Sequence, residues 1–108
     1  MATTNRVLKA RVERGVALLD EKLGPEWCER IVLPDLFMHS GNQCVLGQLY
    51  PSTSLVSGYV VGRDALGIGV RGEDVPYGFS MDAGHFTDRR LTPLWREAIE
   101  ARCGGSER

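Results

Sequence analysis

The chain has 108 residues, 43% of them hydrophobic and 25% charged, with a formal net charge of −1. That is one domain's worth of sequence with enough apolar content for a single core, which excludes a disordered chain and makes covalent staples unnecessary. The near-neutral balance also excludes a surface built throughout to hold nucleic acid or an anionic membrane, while leaving room for a local basic patch.

The three cysteines, Cys28, Cys44 and Cys103, stand far apart and form no CxxC pair. An odd count at wide spacing predicts no disulfide framework and a reduced, cytoplasmic setting. No signal peptide is expected, because the longest apolar run near the start, GVALL, is short and follows Lys9, Arg11, Glu13 and Arg14. No apolar run approaches the ~18–20 residues needed to cross a bilayer, so no membrane partner is expected.

Residues 6–23, RVLKARVERGVALLDEKL, predict an amphipathic helix. Leu8, Val12, Val16, Leu19 and Leu23 follow steps of four, four, three and four. At about 100° per residue they fall on one stripe, which Val7 and Leu18 widen. Thr4 or Asn5 can accept from the free amides of the first turn. Gly24 and Pro25 end the helix, since glycine suits the left-handed position and proline cannot continue it.

PEWCERI, residues 25–31, can add one or two turns with Pro25 first. IVLPDLF is either extended or a turn in which Pro34–Asp35 starts a short helix. HSGN, residues 39–42, is turn-rich. NQCVLGQLYP, residues 42–51, reads as a buried helical segment capped by Asn42 and broken near Tyr50 by Pro51. Gly47 costs about 1 kcal/mol against alanine inside a helix, and close approach by a neighbouring helix would compensate it.

Residues 53–66 favour helix over strand, with Leu55, Tyr59 and Leu66 on one face and Gly67 after the end. Residues 67–84 predict a long Gly-rich loop. Thr92 as cap and Pro93 at the first position open a last helix with Leu91, Leu94, Trp95, Ala98 and Ile99 on its apolar face. Arg102 lies near its end, where a cation complements the helix dipole. The expected fold is a single all-α domain, a compact small bundle of three to five helices, with residues 1–4 and 104–108 as frayed tails. The alternative is an α+β form with a short strand at residues 59–61.

RGVALLDEKLGPEWCERI, CVLGQLY, YGF and LTPLWREAI, in that order along most of the chain, resemble a group of small proteins encoded by actinobacteriophages and actinobacterial genomes. In that pattern a glycine follows CVLGQLY, where this chain has Pro51. The resemblance implies a phage or prophage accessory protein in a bacterial cytoplasm. It brings no catalytic, metal-binding or nucleic-acid-binding residues with it.

Cys44 as a nucleophile would need a nearby base and a low pKa; at the head of an apolar run it reads instead as packing. His39, Cys44 and His85, with Cys28 or Cys103, lack the paired short spacing of a zinc site. The glycines of GRDALGIGVRG match no phosphate-binding motif, and no cofactor is expected. Arg6, Lys9, Arg11 and Arg14 make the first helix the nucleic-acid candidate, against a plain solvated face; Arg89, Arg90 and Arg96 add charge near the last helix. Val75, Tyr77, Phe79, Met81 and Phe86 make DVPYGFSMDAGHF the interface candidate, because aromatic residues and methionine are enriched at interface centres. The competing reading folds this loop back as a cap on the core. The expected function is therefore a non-enzymatic accessory protein that binds a host or phage protein and can itself form a homodimer, with a small DNA-binding regulator using the basic first helix as the alternative.

Overall fold

A computed structural model describes residues 4–38, 40–70, 72–79 and 90–103. Among these residues the fold is all-α, with no strand. Helix α1 (Asn5–Leu23) leads into a 3-10 helix, Pro25–Arg30, and a single 3-10 turn, Leu33–Asp35. Helices α2 (Val45–Leu49) and α3 (Gly58–Ala65) follow, then a 3-10 turn, Val75–Tyr77, and helix α4 (Leu91–Cys103). None of the described helices is long and apolar enough to cross a membrane.

Helix α1 forms where its sequence places it. Thr4 caps it, the hydroxyl accepting from the Val7 N–H at 3.3 Å, so this residue of the expected N-terminal tail is held; the other expected tail residues lie outside the described ones. Gly24, at φ 84°, ends the helix and donates to the Asp20 carbonyl at 3.0 Å. Leu8, Val12 and Leu19 are buried, with Val16, Leu18 and Leu23 partly so. Val7 does not widen the stripe; it is 41% exposed. The buried face instead includes Gly15, where a Cβ would meet the Trp95 ring at 2.8 Å and the Tyr77 carbonyl. Glycine leaves the gap that lets α4 and the Val75–Tyr77 turn close on α1.

The centre of that closure is aromatic. Trp27 meets Trp95 edge-on with ring centroids 6.3 Å apart, and Phe79 stacks on Trp95 at 5.3 Å. Such pairs add about 0.5–1.5 kcal/mol beyond burial. Both indole N–H groups are satisfied, Trp27 donating to Asp20 Oδ1 and Trp95 to the Gly78 carbonyl, each at 2.7 Å. Asp20 also accepts from Arg102 near the end of α4. Helix α4 begins at Leu91, and Thr92 is not its cap: its hydroxyl accepts from the Met38 N–H at 2.9 Å, tying the segment before α2 to α4.

The cysteine reading needs correcting. Cys28 and Cys103, 75 residues apart in sequence, form a disulfide with Cα atoms 6.2 Å apart, inside the span such a bond requires. Sequence spacing gave no hint of it, because the pairing depends on how α4 packs on α1: Trp95 lies at Gly15 and Arg102 at Asp20, so the last turn of α4 comes to rest beside the last turn of α1 and the segment that follows it. Cys44 is the free cysteine among those described.

Helix α2 is the buried segment expected at residues 42–51, but its cap is Cys44, whose sulfur accepts from the Gly47 N–H at 3.3 Å. Asn42 serves α3 instead, its side-chain oxygen accepting from the Gly58 N–H at 3.0 Å, while the Gly41 carbonyl accepts from Tyr59 N–H at 2.9 Å. Helix α3 is shorter than the expected 53–66 and includes the Tyr-Val-Val run that was the candidate strand. Gly58 and Gly62, one turn apart, face α2. A Cβ on Gly58 would meet Gly47 Cα at 3.0 Å; one on Gly62 would meet Leu46 Cβ at 3.0 Å and the Tyr50 ring at 2.7 Å. At Gly47 the space of the missing side chain is taken by the turn before α2 rather than by a helix: a Cβ there would meet the Asn42 carbonyl carbon and Cα at 2.6 and 2.7 Å, while α3 approaches from the Gly58 side. Pro51 terminates α2, leaving Tyr50 extended at φ −126°.

Candidate functional site

Within the Gly-rich loop, residues 72–79 fold back onto α1. Arg14 Nε donates to the Pro76 carbonyl at 2.9 Å. Gly78, at φ 76°, lies so near α1 that a Cβ would meet Val12 Cα at 3.0 Å. Of the interface candidates, Phe79 is buried, as the core-capping alternative requires, and does not belong to any surface. Val75 and Tyr77 are partly buried. Met81 and Phe86 lie outside the described residues.

The basic residues of the first helix are divided among different tasks. Arg6 and Lys9 are exposed. Arg11 is partly buried, one of its terminal nitrogens without a hydrogen-bond partner among the described residues. Arg14 is engaged with Pro76. Arg96 on α4 points inward, donating to the carbonyls of Leu33 and Leu36 at 3.3 Å each. A uniform positive stripe along α1 is therefore not what the fold displays.

Cys44 is buried, with its sulfur 3.9 Å from the Gly41 carbonyl. Burial pushes its thiol up to about 11, against the pull of the Gly47 and Leu46 N–H groups, with the Asp74 charge adding to the rise. A thiol so placed stays protonated at neutral pH and is a packing group rather than a nucleophile. Cys28 and Cys103 are joined to each other, and both histidines lie outside the described residues. Among the described residues no group of three or more His, Cys, Asp or Glu side chains is placed to hold a metal ion.

Asp74 escaped the sequence reading. It is the buried charged residue among those described, 1% exposed, and its carboxylate accepts from the Tyr59 hydroxyl. Its backbone carbonyl accepts from the Tyr77 N–H at 3.1 Å, and Arg63 lies over the Tyr59 ring, 5.1 Å from its centroid. The arrangement fastens the 72–79 loop to α3. With Asp74 enclosed, its carboxylate does not face solvent where a substrate would arrive. Its only signal in sequence was a turn-forming aspartate in GEDVP.

A different surface stands out. Between α2 and α3, Thr53 Oγ1 accepts from the N–H groups of Leu55 and Val56 at 3.1 and 3.0 Å, and the Thr53 N–H donates to the Val56 carbonyl at 2.9 Å. This hydrogen-bonded turn holds Leu55 out at 90% exposure with Val56 beside it. Leu55 was expected on the buried face of a helix; Thr53 takes the amides that such a helix would have used. Val70, in the segment that follows α3, is 67% exposed. No family model matches the chain, and no curated protein or solved structure matches it.

Proposed function

We propose that the chain is a non-enzymatic protein-binding module and, on its resemblance to actinobacteriophage proteins, a phage or prophage accessory protein that engages a host or phage protein in the bacterial cytoplasm. The observation that supports binding is the Thr53–Val56 turn: three hydrogen bonds brace the backbone that presents an exposed leucine. A backbone already ordered in the free chain loses little conformational freedom on docking, which is how a small surface contributes useful affinity. The loop candidates Val75 and Tyr77 then flank the core and do not form the centre of the interface.

The test is affinity purification of the tagged chain from actinobacterial cells, with the recovered protein then titrated against the purified chain. The expected result is a stoichiometric partner whose Kd weakens at least tenfold with Leu55→Asp, while Tyr77→Ala changes it less. Equal binding by Leu55→Asp and wild type would remove the turn from the interface, and recovery of no partner would end the reading. The DNA-binding alternative retains Arg6 and Lys9 as its exposed cations; it predicts duplex binding that falls steeply with salt and is lost in Arg6→Glu/Lys9→Glu.

A further inference from the structure

We propose that Cys28 and Cys103 form a reversible thiol–disulfide latch that fastens the last turn of α4 to the 3-10 helix following α1. The latch is independent of the protein-binding reading. Three observations carry it. The two Cα atoms are 6.2 Å apart, so the backbone already sits where the bond needs it. That placement is secured by other contacts around the pair: one residue before Cys103, Arg102 bonds Asp20, and one residue before Cys28, Trp27 donates to the same carboxylate. Asp20 therefore holds both cysteine-bearing segments whether or not the sulfurs are joined.

The second observation is an asymmetry of access. Cys28 is buried and Cys103 only partly so. Exchange then begins at the Cys103 sulfur, the one a small reagent can approach. The third concerns the reduced state. The Cys28 sulfur lies 3.5 Å from the Pro25 carbonyl. When the bond opens, the buried thiol finds an acceptor for its proton there without moving, so neither redox state leaves a polar group stranded.

The chemistry closes with a glutathione-type disulfide as oxidant. The Cys103 thiolate attacks that disulfide, forming a mixed disulfide and releasing one glutathione thiol. The Cys28 thiolate then attacks the Cys103 sulfur and releases the second. Two electrons and two protons pass from the protein thiols to the oxidant, and excess glutathione thiol reverses both steps. In a reducing compartment a pair of this kind is transient and reports redox state. Closing it constrains most of the unfolded chain, so its effect falls on stability.

The experiment equilibrates the full-length chain in buffers of varied oxidised-to-reduced glutathione ratio, without denaturant. Free thiols are counted by alkylation after unfolding and mass spectrometry, and Tm is followed by circular dichroism. The expected result is one free thiol, Cys44, at the oxidising end and three at the reducing end, with native helicity at both. Tm is expected to be about 10 °C or more higher when oxidised. Cys103→Ser, and separately Cys28→Ser, abolish the difference, while Cys44→Ala keeps it. The latch is overturned by three free thiols throughout the series in helical protein, by an intermolecular disulfide in place of the internal one, or by unchanged Tm. A bond that resists reduction until the chain is unfolded would overturn the reversibility and leave a permanent staple.

Discussion

Around α1 and α4 the elements are spaced by large side chains. Trp27, Trp95 and Phe79 fill the gap, each ring touching the next, with both indole N–H groups satisfied. Between α2 and α3 the same task falls to Gly47, Gly58 and Gly62, and the helices meet almost backbone to backbone. The first region draws its stability from area removed from water; the second draws its contact from the absence of side chains. The difference teaches where each region is fragile. The aromatic region should fail when atoms are removed, and the glycine region when atoms are added.

The largest expected effect is truncation in the aromatic region. Trp95→Ala removes the ring that meets Trp27, Phe79 and Gly15, and should cost about 3–5 kcal/mol, measured as a fall in the denaturant midpoint. A loss under 1 kcal/mol would mean that the region collapses around the gap, and the contrast with the glycine side would dissolve.

Cys44, at the head of α2, marks the second region by its response to pH. Its folded pKa of about 11 lies above the ordinary 9.0, so between these values the folded chain keeps a proton that the unfolded chain has lost. Stability is then full below pH 9 and declines as pH rises toward 11. The decline attributable to this thiol is about 2–3 kcal/mol. Unfolding midpoints at pH 8 and pH 11 for wild type and Cys44→Ala should show that much less alkaline loss in the variant. Equal losses would place the sulfur in contact with solvent.

Next in size is enlargement. In Gly58→Ala the new methyl would meet the Gly47 carbonyl oxygen at 2.9 Å and Gly47 Cα at 3.0 Å. These are backbone atoms, which cannot swing aside, so the cost should be about 1–3 kcal/mol. Glycine to alanine within an exposed helix would normally stabilise, so the sign of the midpoint shift alone decides the matter.

What the sequence made legible follows the range of each interaction. The stripe of α1, its Thr4 cap, the Gly24–Pro25 stop and the break at Pro51 all involve residues within one or two turns, and the structure contains them. Asn42 and Thr92 show the limit. Each carries an oxygen able to accept from an amide, and proximity assigned each to the helix that follows it. In the structure Asn42 serves Gly58 and Thr92 serves Met38. Local rules identify an acceptor but not its donor when the donor lies far along the chain. The Cys28–Cys103 pairing and the Tyr59–Asp74 bond were illegible for the same reason, whereas the burial of Phe79 was legible as the alternative in which the loop caps the core. At the candidate site, the exposed turn turned on Thr53: a hydroxyl bonding two amides ahead kept Leu55 out of the helix its spacing had promised.

The smallest effect separates the two readings of the basic helix. If α1 displayed its cations to an outside partner, Arg14 and Arg6 would matter equally little to folding. Arg14 instead bonds the Pro76 carbonyl, which holds the 72–79 loop over Gly15 and so covers the aromatic region. The bond is charge-assisted yet solvent-exposed, which limits it to about 0.5–1 kcal/mol. Arg14→Ala should lower the urea midpoint by that amount and speed amide exchange at Tyr77, Gly78 and Phe79, whose N–H groups bond within the loop to Asp74 and Val75. Arg6→Ala should leave both unchanged, as a substitution at an exposed surface position does. If the two variants behave alike in exchange as well as in stability, the loop is held by its buried face alone, and the guanidinium of Arg14 returns to the set of cations available to a ligand.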